Sequence, residues 1–254
     1  MDQHTDAELA QRLVAEAGEL LLRLRDAAPA TTAEESLRNA GDRAAHRFLT
    51  TELAAWRPDD AVLSEEATDD PRRLTADRVW IVDPLDGTRE FAEGRPDWAV
   101  QMALWCDGEL AAGAVALPGV GTVLSTAAPP QVPVVVNGPV QIAVSRTRPP
   151  VFAQRVADRL GGELVPLGSA GYKVAAVILG DVQAYVHAGG QYEWDSAAPV
   201  AVARAAGLHA SRLDGAVLRY NQPEPYLPDL VVCRPELAAA LRTALSEEAP
   251  WDHN

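Results

Sequence analysis

The stretch Val79-Trp80-Ile81-Val82-Asp83-Pro84-Leu85-Asp86-Gly87-Thr88 ends an apolar run in two carboxylates, a glycine and a hydroxyl. Redox or acyl chemistry has no need of that set. A divalent cation does, because hard cations want several oxygens converging from a backbone that turns sharply. Asp83 and Asp86 flank a proline-leucine step, and Gly87 lets the chain swing into the next element. Glu65-Glu66 upstream and Trp194-Asp195 downstream add further acids. Gathered within a few ångströms, such carboxylates repel one another by ~4 kcal/mol per pair at an effective dielectric near 20. They repel a phosphate dianion as well, so only bound cations let the cluster hold a phosphate ester. The pattern points to metal-assisted phosphate ester hydrolysis, with magnesium suited to the all-oxygen set.

Taken singly, each acid has an ordinary explanation. A carboxylate such as Asp195 is comfortable capping a helix, Asp-Gly pairs mark turns, and Glu65-Glu66 alone is a surface pair. What argues against coincidence is position, since each follows an apolar strand or heads a helix, where α/β proteins place their sites.

Composition narrows the classes. With 254 residues, 48% of them apolar and no low-complexity segment, the chain has enough core for one large globular unit. A net charge of −14 excludes a broad nucleic-acid surface, so no nucleic acid polymer is expected as partner. No apolar run approaches the ~20 residues of a bilayer span, and the polar start Met1-Asp2-Gln3-His4 is unlike a secretory signal. Cys106 and Cys233 are too few for a disulfide scaffold. The expectation is a cytoplasmic protein without a membrane partner. His187 and the other histidines lack metal-ligand spacing and read as structural; Trp80, Trp98 and Trp105 read as core.

Helical spacing predicts a helix from Asp6 to about Leu24 and another from about Gly41 to Trp56. Short strands are expected at Ala61–Ser64 and Arg78–Asp83, then a three-strand meander from Trp98 to Thr126. Ala127 to Pro139, rich in proline and valine, is the candidate boundary between a subdomain at 1–137 and one at 138–254. Beyond it strands and helices alternate: strand from Gln141, helix Pro150–Leu160, strand Glu163–Pro166, helix Ser169–Leu179, strand Val182–His187, helix Asp195–Ala206, strand Leu230–Cys233 and a last helix Pro235–Leu245. An antiparallel first half and an alternating second half suggest two layered subdomains sharing a cleft, acting as a single catalytic unit.

Glu65-Glu66, the block Trp80 to Thr88, and Trp194-Asp195-Ser196-Ala197-Ala198-Pro199 resemble the three signature blocks of the inositol monophosphatase superfamily, in order and across nearly the whole chain. The resemblance implies an α+β, layered α-β-α-β-α sandwich, with an antiparallel sheet in the first half and a mixed sheet in the second. It implies two or three Mg2+ ions held by Glu65, Asp83, the Leu85 carbonyl, Asp86 and Asp195. Thr88, relayed through Asp42, would orient the attacking water; its other reading is a helix cap. Asp42 follows Ala40-Gly41, where the family commonly has Thr and Lys. Glu66 either orients Glu65 in support of catalysis or stands in solvent. Asp83 to Thr88 continued by Arg89-Glu90-Phe91 is similar to the CysQ-type branch, which hydrolyses 3'(2'),5'-bisphosphonucleosides. On that resemblance the expected reaction removes the 3'-phosphate of 3'-phosphoadenosine 5'-phosphate, or of its sulfated form, to clear a by-product of sulfate assimilation. Lithium and calcium sensitivity, and a homodimer, are implied on the same ground.

The substrate set is expected to include Glu65, Leu85, Asp86, Gly87, Thr88 and Asp195 beside the cations. Ser145, Arg146 and Arg148 would meet the phosphate that is not cleaved, through bidentate arginine contacts. Ser169 and Ala170 open a helix whose N–H groups a phosphate could approach, and Lys173 could reach a second phosphate. Tyr172 stacks on a base or packs in the core; Glu193 accepts a ribose hydroxyl or faces solvent. The rival readings are a phosphatase of the same family for inositol 1-phosphate or fructose 1,6-bisphosphate, and a regulator that binds metal or nucleotide without turnover.

Overall fold

The structure, a computed structural model, describes residues 4–134 and 138–251. Two long helices open the chain, α1 (Asp6–Ala27) and α2 (Glu34–Trp56). Thr5 starts α1 as a capping box, accepting from the Glu8 N–H while the Glu8 carboxylate accepts from the Thr5 N–H. The helix α2 begins seven residues before the expected Gly41, because Glu34 to Ala40 is polar and helical without an apolar stripe to announce it.

The first sheet holds β1 (Ala61–Ser64), β2 (Arg78–Asp86), β3 (Ala99–Cys106), β4 (Glu109–Leu117) and β5 (Thr122–Ser125) in sequence order. Its pairs are antiparallel except β1–β2, which is parallel. A five-residue helix, α3 (Thr88–Ala92), interrupts the chain between β2 and β3. Alternation along β2 explains its unbroken apolar sequence. Trp80 and Val82 enter one core with Leu9, Leu13 and Leu49 of the long helices, while Val79 and Ile81 enter another on the opposite face.

The second sheet runs β7 (Glu163–Leu167), β6 (Gln141–Ser145), β8 (Ala184–Ala188), β10 (Asp229–Cys233) and β9 (His209–Ser211). It is mixed: β7, β6 and β8 are parallel and β10 is antiparallel to both neighbours. Between the sheets lie α5 (Ala170–Leu179) and α6 (Ala197–Ala205), whose Val174, Val177, Val200 and Val202 share one core with Ile81, Val115, Tyr185 and Leu230. The outer face of the second sheet is covered by α4 (Ala153–Arg159) and α7 (Ala238–Ser246) through Val156, Leu241 and Leu245. The result is the expected α-β-α-β-α layering. The expected boundary after residue 137 falls at 135–137, outside the described residues, as does Met1–Gln3. No helix among the described residues is long and apolar enough to cross a membrane.

The layers touch closely where a side chain is absent. A Cβ on Gly113 of β4 would stand 2.7 Å from the Ala201 Cβ and 2.9 Å from the Ala198 carbonyl of α6. Gly113→Val is therefore expected to destabilise the fold by about 1–3 kcal/mol through overpacking. A urea midpoint unchanged from the parent would show that α6 can retreat from the sheet.

Candidate metal and phosphate site

Positions 83 and 86 are an odd number apart and would point to opposite faces of a regular strand. The β2–β3 register slips between Asp83 and Asp86, and this bulge across Pro84-Leu85 turns both carboxylates to one side. Gly87 comes next at φ 89°, a conformation that favours glycine, and caps α3. Thr88 is thus the first residue of α3, and no side-chain bond caps that helix. Its hydroxyl is not spent on capping.

Asp195 arrives from the other sheet. After β8, Gly189 and Gly190 both take positive φ, and a 3-10 turn over Glu193–Asp195 leads into α6. Ser196, not Asp195, is the N-cap of α6. The Asp195 carboxylate instead accepts from the Tyr192 N–H at 2.7 Å. Ligand-capable oxygens of Asp83, Asp86 and Asp195 lie within 4.8 Å of one another.

The other acids crowd this triad. Glu65 follows β1, which the parallel pairing sets beside β2, and is hydrogen-bonded to Asp83. Although its residue keeps a solvent-facing surface, loss of hydration around its carboxyl outweighs that bond. Together with the charges of Asp86 and Glu66, it lifts the group to about 7. Asp42, half-buried on α2, is lifted to about 7 by desolvation and then by Glu66 and Glu65. Burial, followed by neighbouring acids, raises Asp83 and Asp195 well above the usual carboxylate range. The structure therefore brings Asp42 and Glu66 to the edge of the cluster, with Glu66 exposed. Gly41 permits this approach, since a Cβ there would stand 2.8 Å from Leu85 Cδ2.

Asp86 is the most heavily bonded member. It accepts from Gln101 Nε2 at 2.5 Å, Ser169 Oγ at 2.6 Å, Gly171 N at 2.6 Å and Ala170 N at 3.1 Å. This corrects the expectation that the first turn of α5 offers its N–H groups to phosphate. Asp86 occupies those of Ala170 and Gly171, and Ser169 Oγ takes that of Tyr172. Oδ1 of Asp86 accepts only from Ala170 N and keeps capacity for a cation. Gln101 was not anticipated, although a lone amide in the apolar run Ala99 to Leu104 was its signal.

The cluster opens into a cavity of about 610 Å³ lined by Asp86, Gly87, Thr88, Ser145, Arg146, Arg148, Ser169, Ala170, Lys173 and Asp195. Lys173 is buried, not the exposed lysine of the ordinary case. Its Nζ donates to the Gly168 and Ser169 carbonyls at 2.8 and 2.7 Å, which leaves one donor of three. Desolvation pulls it down to about 8 against the pull of Asp86 and Glu90. Arg146 is held by Glu90 at 2.7 Å and Glu93 at 2.9 Å, so much of its charge is answered within the protein. Arg148 has no side-chain partner among the described residues. Ser145 Oγ accepts from the Arg148 N–H.

Glu193 requires a correction. Both its oxygens are engaged, accepting from Asn221 N at 2.6 Å and Gln222 N at 2.8 Å, and it lies outside the cavity. Arg73 completes the clamp, donating to Asn221 Oδ1 and the Gln222 carbonyl while paired with Asp69. Glu193 therefore fixes the turn that carries Asp195 and does not face a ribose. Tyr172 packs against the core between the sheets and does not line the cavity. Glu90, Arg89, Gln191 and His187, none of them anticipated as site residues, do line it.

The donor chemistry fits a hard divalent cation: close-set carboxylate oxygens brought together from both sheets, with Lys173 as a cation acting on Asp86 and Asp195. Residues 2–250 match the inositol monophosphatase family, and the chain belongs to that family, which is metal-dependent. It is 52% identical over 260 residues to the 3'-phosphoadenosine 5'-phosphate phosphatase of Mycobacterium leprae, covering 96% of this chain and 94% of that protein. The protein of the same description from Mycobacterium bovis is 55% identical over 245 residues, covering 91% and 90%. Among solved structures, CysQ from Bacteroides thetaiotaomicron superposes with a TM-score of 0.78 at 26% identity, covering 90% of this chain and 97% of its own.

The raised carboxyls make stability depend on pH in a defined direction. Between about pH 4 and 7 the folded, metal-free chain keeps protons on Asp42 and Glu65 that the unfolded chain has released, so stability falls as pH rises through that window. After chelation, the thermal midpoint is expected to be about 3–6 °C lower at pH 8 than at pH 5.5, with magnesium restoring it. A midpoint that instead rises with pH would mean the acids are already compensated within the fold.

Proposed function

We propose that this chain is a magnesium-dependent phosphomonoesterase that removes the 3'-phosphate from 3'-phosphoadenosine 5'-phosphate, or from its sulfated form, leaving the 5'-nucleotide. The observation that carries the reading is the Asp83–Asp86–Asp195 triad, its first two members buried, opening into a cavity that also holds Arg148, Arg146 and Lys173. A monoester needs only the triad's end; cations further along the same wall suit a substrate with a second phosphate. The names borne by relatives more than half identical over nine-tenths of their length support the nucleotide over a sugar phosphate.

When bound, Mg2+ supplies Lewis-acid neutralisation of phosphate oxygens and lowers the pKa of water. Two or three ions would be held by Glu65, Asp83, Asp86, Asp195 and the Leu85 carbonyl. The protein's own contribution is positional. Thr88, with its hydroxyl uncommitted at the head of α3, orients the attacking water, and Asp42 beyond it accepts the relayed proton. Glu66, exposed beside Glu65, tunes that carboxylate electrostatically. Gly87 and Thr88 bring the backbone close to the scissile phosphate, Lys173 adds positive charge, and Ser145 and Arg148 meet the other phosphate. The two sequence halves, 1–137 and 138–254, act as one catalytic unit, since the acids come from both. Two free thiols and the want of an apolar span among the described helices support a cytoplasmic setting. The family resemblance is the support for a homodimer and for lithium sensitivity.

Turnover of adenosine 3',5'-bisphosphate, inositol 1-phosphate and fructose 1,6-bisphosphate at equal magnesium tests the substrate. The nucleotide is expected to have the highest kcat/KM; the lowest would overturn the assignment while leaving the reaction class. Asp195→Asn should lower kcat for the nucleotide by roughly a hundredfold or more, with the circular dichroism spectrum retained. Full activity in that variant would remove Asp195 from the ligand set.

A further inference from the structure

The side-chain amide of Gln101 has one end engaged and the other unpaired. The residue stands on β3 between Ala99 and Ala103, which enter the core between the sheets, and it is fully buried. An apolar side chain would suit packing better there, because a buried amide is costly unless both ends are paired. Nε2 donates to Asp86 Oδ2 at 2.5 Å, and this sets the orientation of the amide, since an oxygen in that place would face a carboxylate. Oε1, the other end, has no hydrogen-bond partner among the described residues.

The neighbours of that oxygen narrow what can pair it. Gln101 is opposite Asp83 in the β2–β3 ladder, so the two side chains share a face of the sheet. Against the amide stands the head of α5, where Gly171 makes room. A Cβ on Gly171 would be 2.7 Å from the Gln101 Cδ and Nε2 and 2.9 Å from Oε1. The backbone N–H groups of that helix head are engaged elsewhere. Ala170 and Gly171 donate to Asp86, Tyr172 to Ser169 Oγ, and Lys173 to the Ser169 carbonyl. Ionised carboxylates, the form a cation needs, have no proton to offer Oε1. A cation does bring donors, because magnesium keeps several of its waters when carboxylates bind it.

Resting on the magnesium-dependent reading above, we propose that Gln101 is a positioning residue for the cation, tying down Asp86 Oδ2 through Nε2 and accepting through Oε1 from a water of the cation's hydration shell. Oδ1 of Asp86 is then the oxygen turned to the metal. Gln101 lines no part of the cavity, so it acts through Asp86 and the cation and does not touch the substrate. A neutral amide suits the task. A lysine in its place would compete with the cation for Asp86, and a glutamate would add to the repulsion among the acids.

Calorimetric titration with magnesium alone reads this role without any substrate. Gln101→Met keeps a similar volume and removes both donor and acceptor, and its magnesium Kd is expected to be roughly tenfold or more above the parent's. After chelation its thermal midpoint should lie within about 3 °C of the parent's, since Asp86 keeps its bonds to Ser169, Ala170 and Gly171. The rise in midpoint on adding magnesium should shrink. KM for adenosine 3',5'-bisphosphate at saturating magnesium is expected to be unchanged. Gln101→Asn keeps the amide one methylene short of Asp86, should weaken magnesium in the same direction, and answers for a methionine variant that does not fold. A magnesium Kd equal to the parent's in either variant would overturn the proposal. So would a loss of midpoint as large without magnesium as with it, or a KM that rises at saturating magnesium. A parent chain that takes up no magnesium removes the metal reading and this proposal together. One that takes it up without hydrolysing the nucleotide loses only the substrate assignment, and the titration still decides the part played by Gln101.

Discussion

The mutual repulsion of buried carboxylates is the constraint to which the rest of the fold answers. Asp83, Asp86 and Asp195 have ligand oxygens within 4.8 Å of one another, with Glu65 bonded to Asp83. Left to itself such a cluster drives its members apart or takes up protons, and burial makes both pressures stronger. The protein resists by fixing Asp83 and Asp86 on β2, Glu65 after β1 and Asp195 on the turn before α6, and by supplying donors where they do not compete with a cation. Asp86 is pinned by four donors, Asp83 accepts from the Leu85 N–H, and Asp195 accepts from the Tyr192 N–H. The head of α5 contributes its positive end to Asp86, a use of the helix terminus that removes it from the substrate.

That arrangement explains why the two sheets cannot work separately. Asp83 and Asp86 belong to the first and Asp195 follows β8 of the second, so the cluster exists only while the shared core of α5 and α6 holds them together. The Arg73–Asn221–Glu193 clamp serves the same end. Buried Arg73, from the 3-10 turn at Pro71–Thr75, grips the 221–222 loop, and that loop grips the turn before Asp195. Breaking a buried charge pair of this kind leaves an uncompensated group, so its geometry is more tightly held than a surface ion pair would be.

Much of the architecture was legible in the sequence because its signals are local. Leu9, Leu13, Leu20 and Leu24 mark α1 by helical spacing, and the turns at Cys106-Asp107-Gly108 and Pro118-Gly119 frame the meander. The clustered acids were legible because each follows an apolar strand or stands just before a helix. What escaped depends on contacts between distant segments. Glu193 was open to a ribose until the 221–222 loop covered it. The N–H groups of α5 were open to phosphate until Asp86, 84 residues from Ala170, took them. The burial of Lys173 was not legible, because its partners are the backbone carbonyls of Gly168 and Ser169, which no sequence pattern displays. His187 read as structural for the converse reason: burial is visible in a strand's composition, whereas a place on a cavity wall is not.

A chain of net charge −14 can attract an anion only where its surface field is locally reversed. Most arginines do not contribute, because the fold pairs them: Arg73 with Asp69, Arg78 with Asp60, Arg95 with Asp97, Arg212 with Asp229. Arg146, though on the cavity wall, is shared between Glu90 and Glu93. Among the described residues of the cavity wall, the cations without an ion pair are Arg89, Arg148 and Lys173, and the low-dielectric setting of Lys173 strengthens its reach. Outside the cavity the surface repels anions, and inside it the wall and the cations it holds attract them. Contrast with the surface then matters as much as the contacts themselves, because an anion that fails to reach the cations of the cavity wall gains nothing to set against the global field.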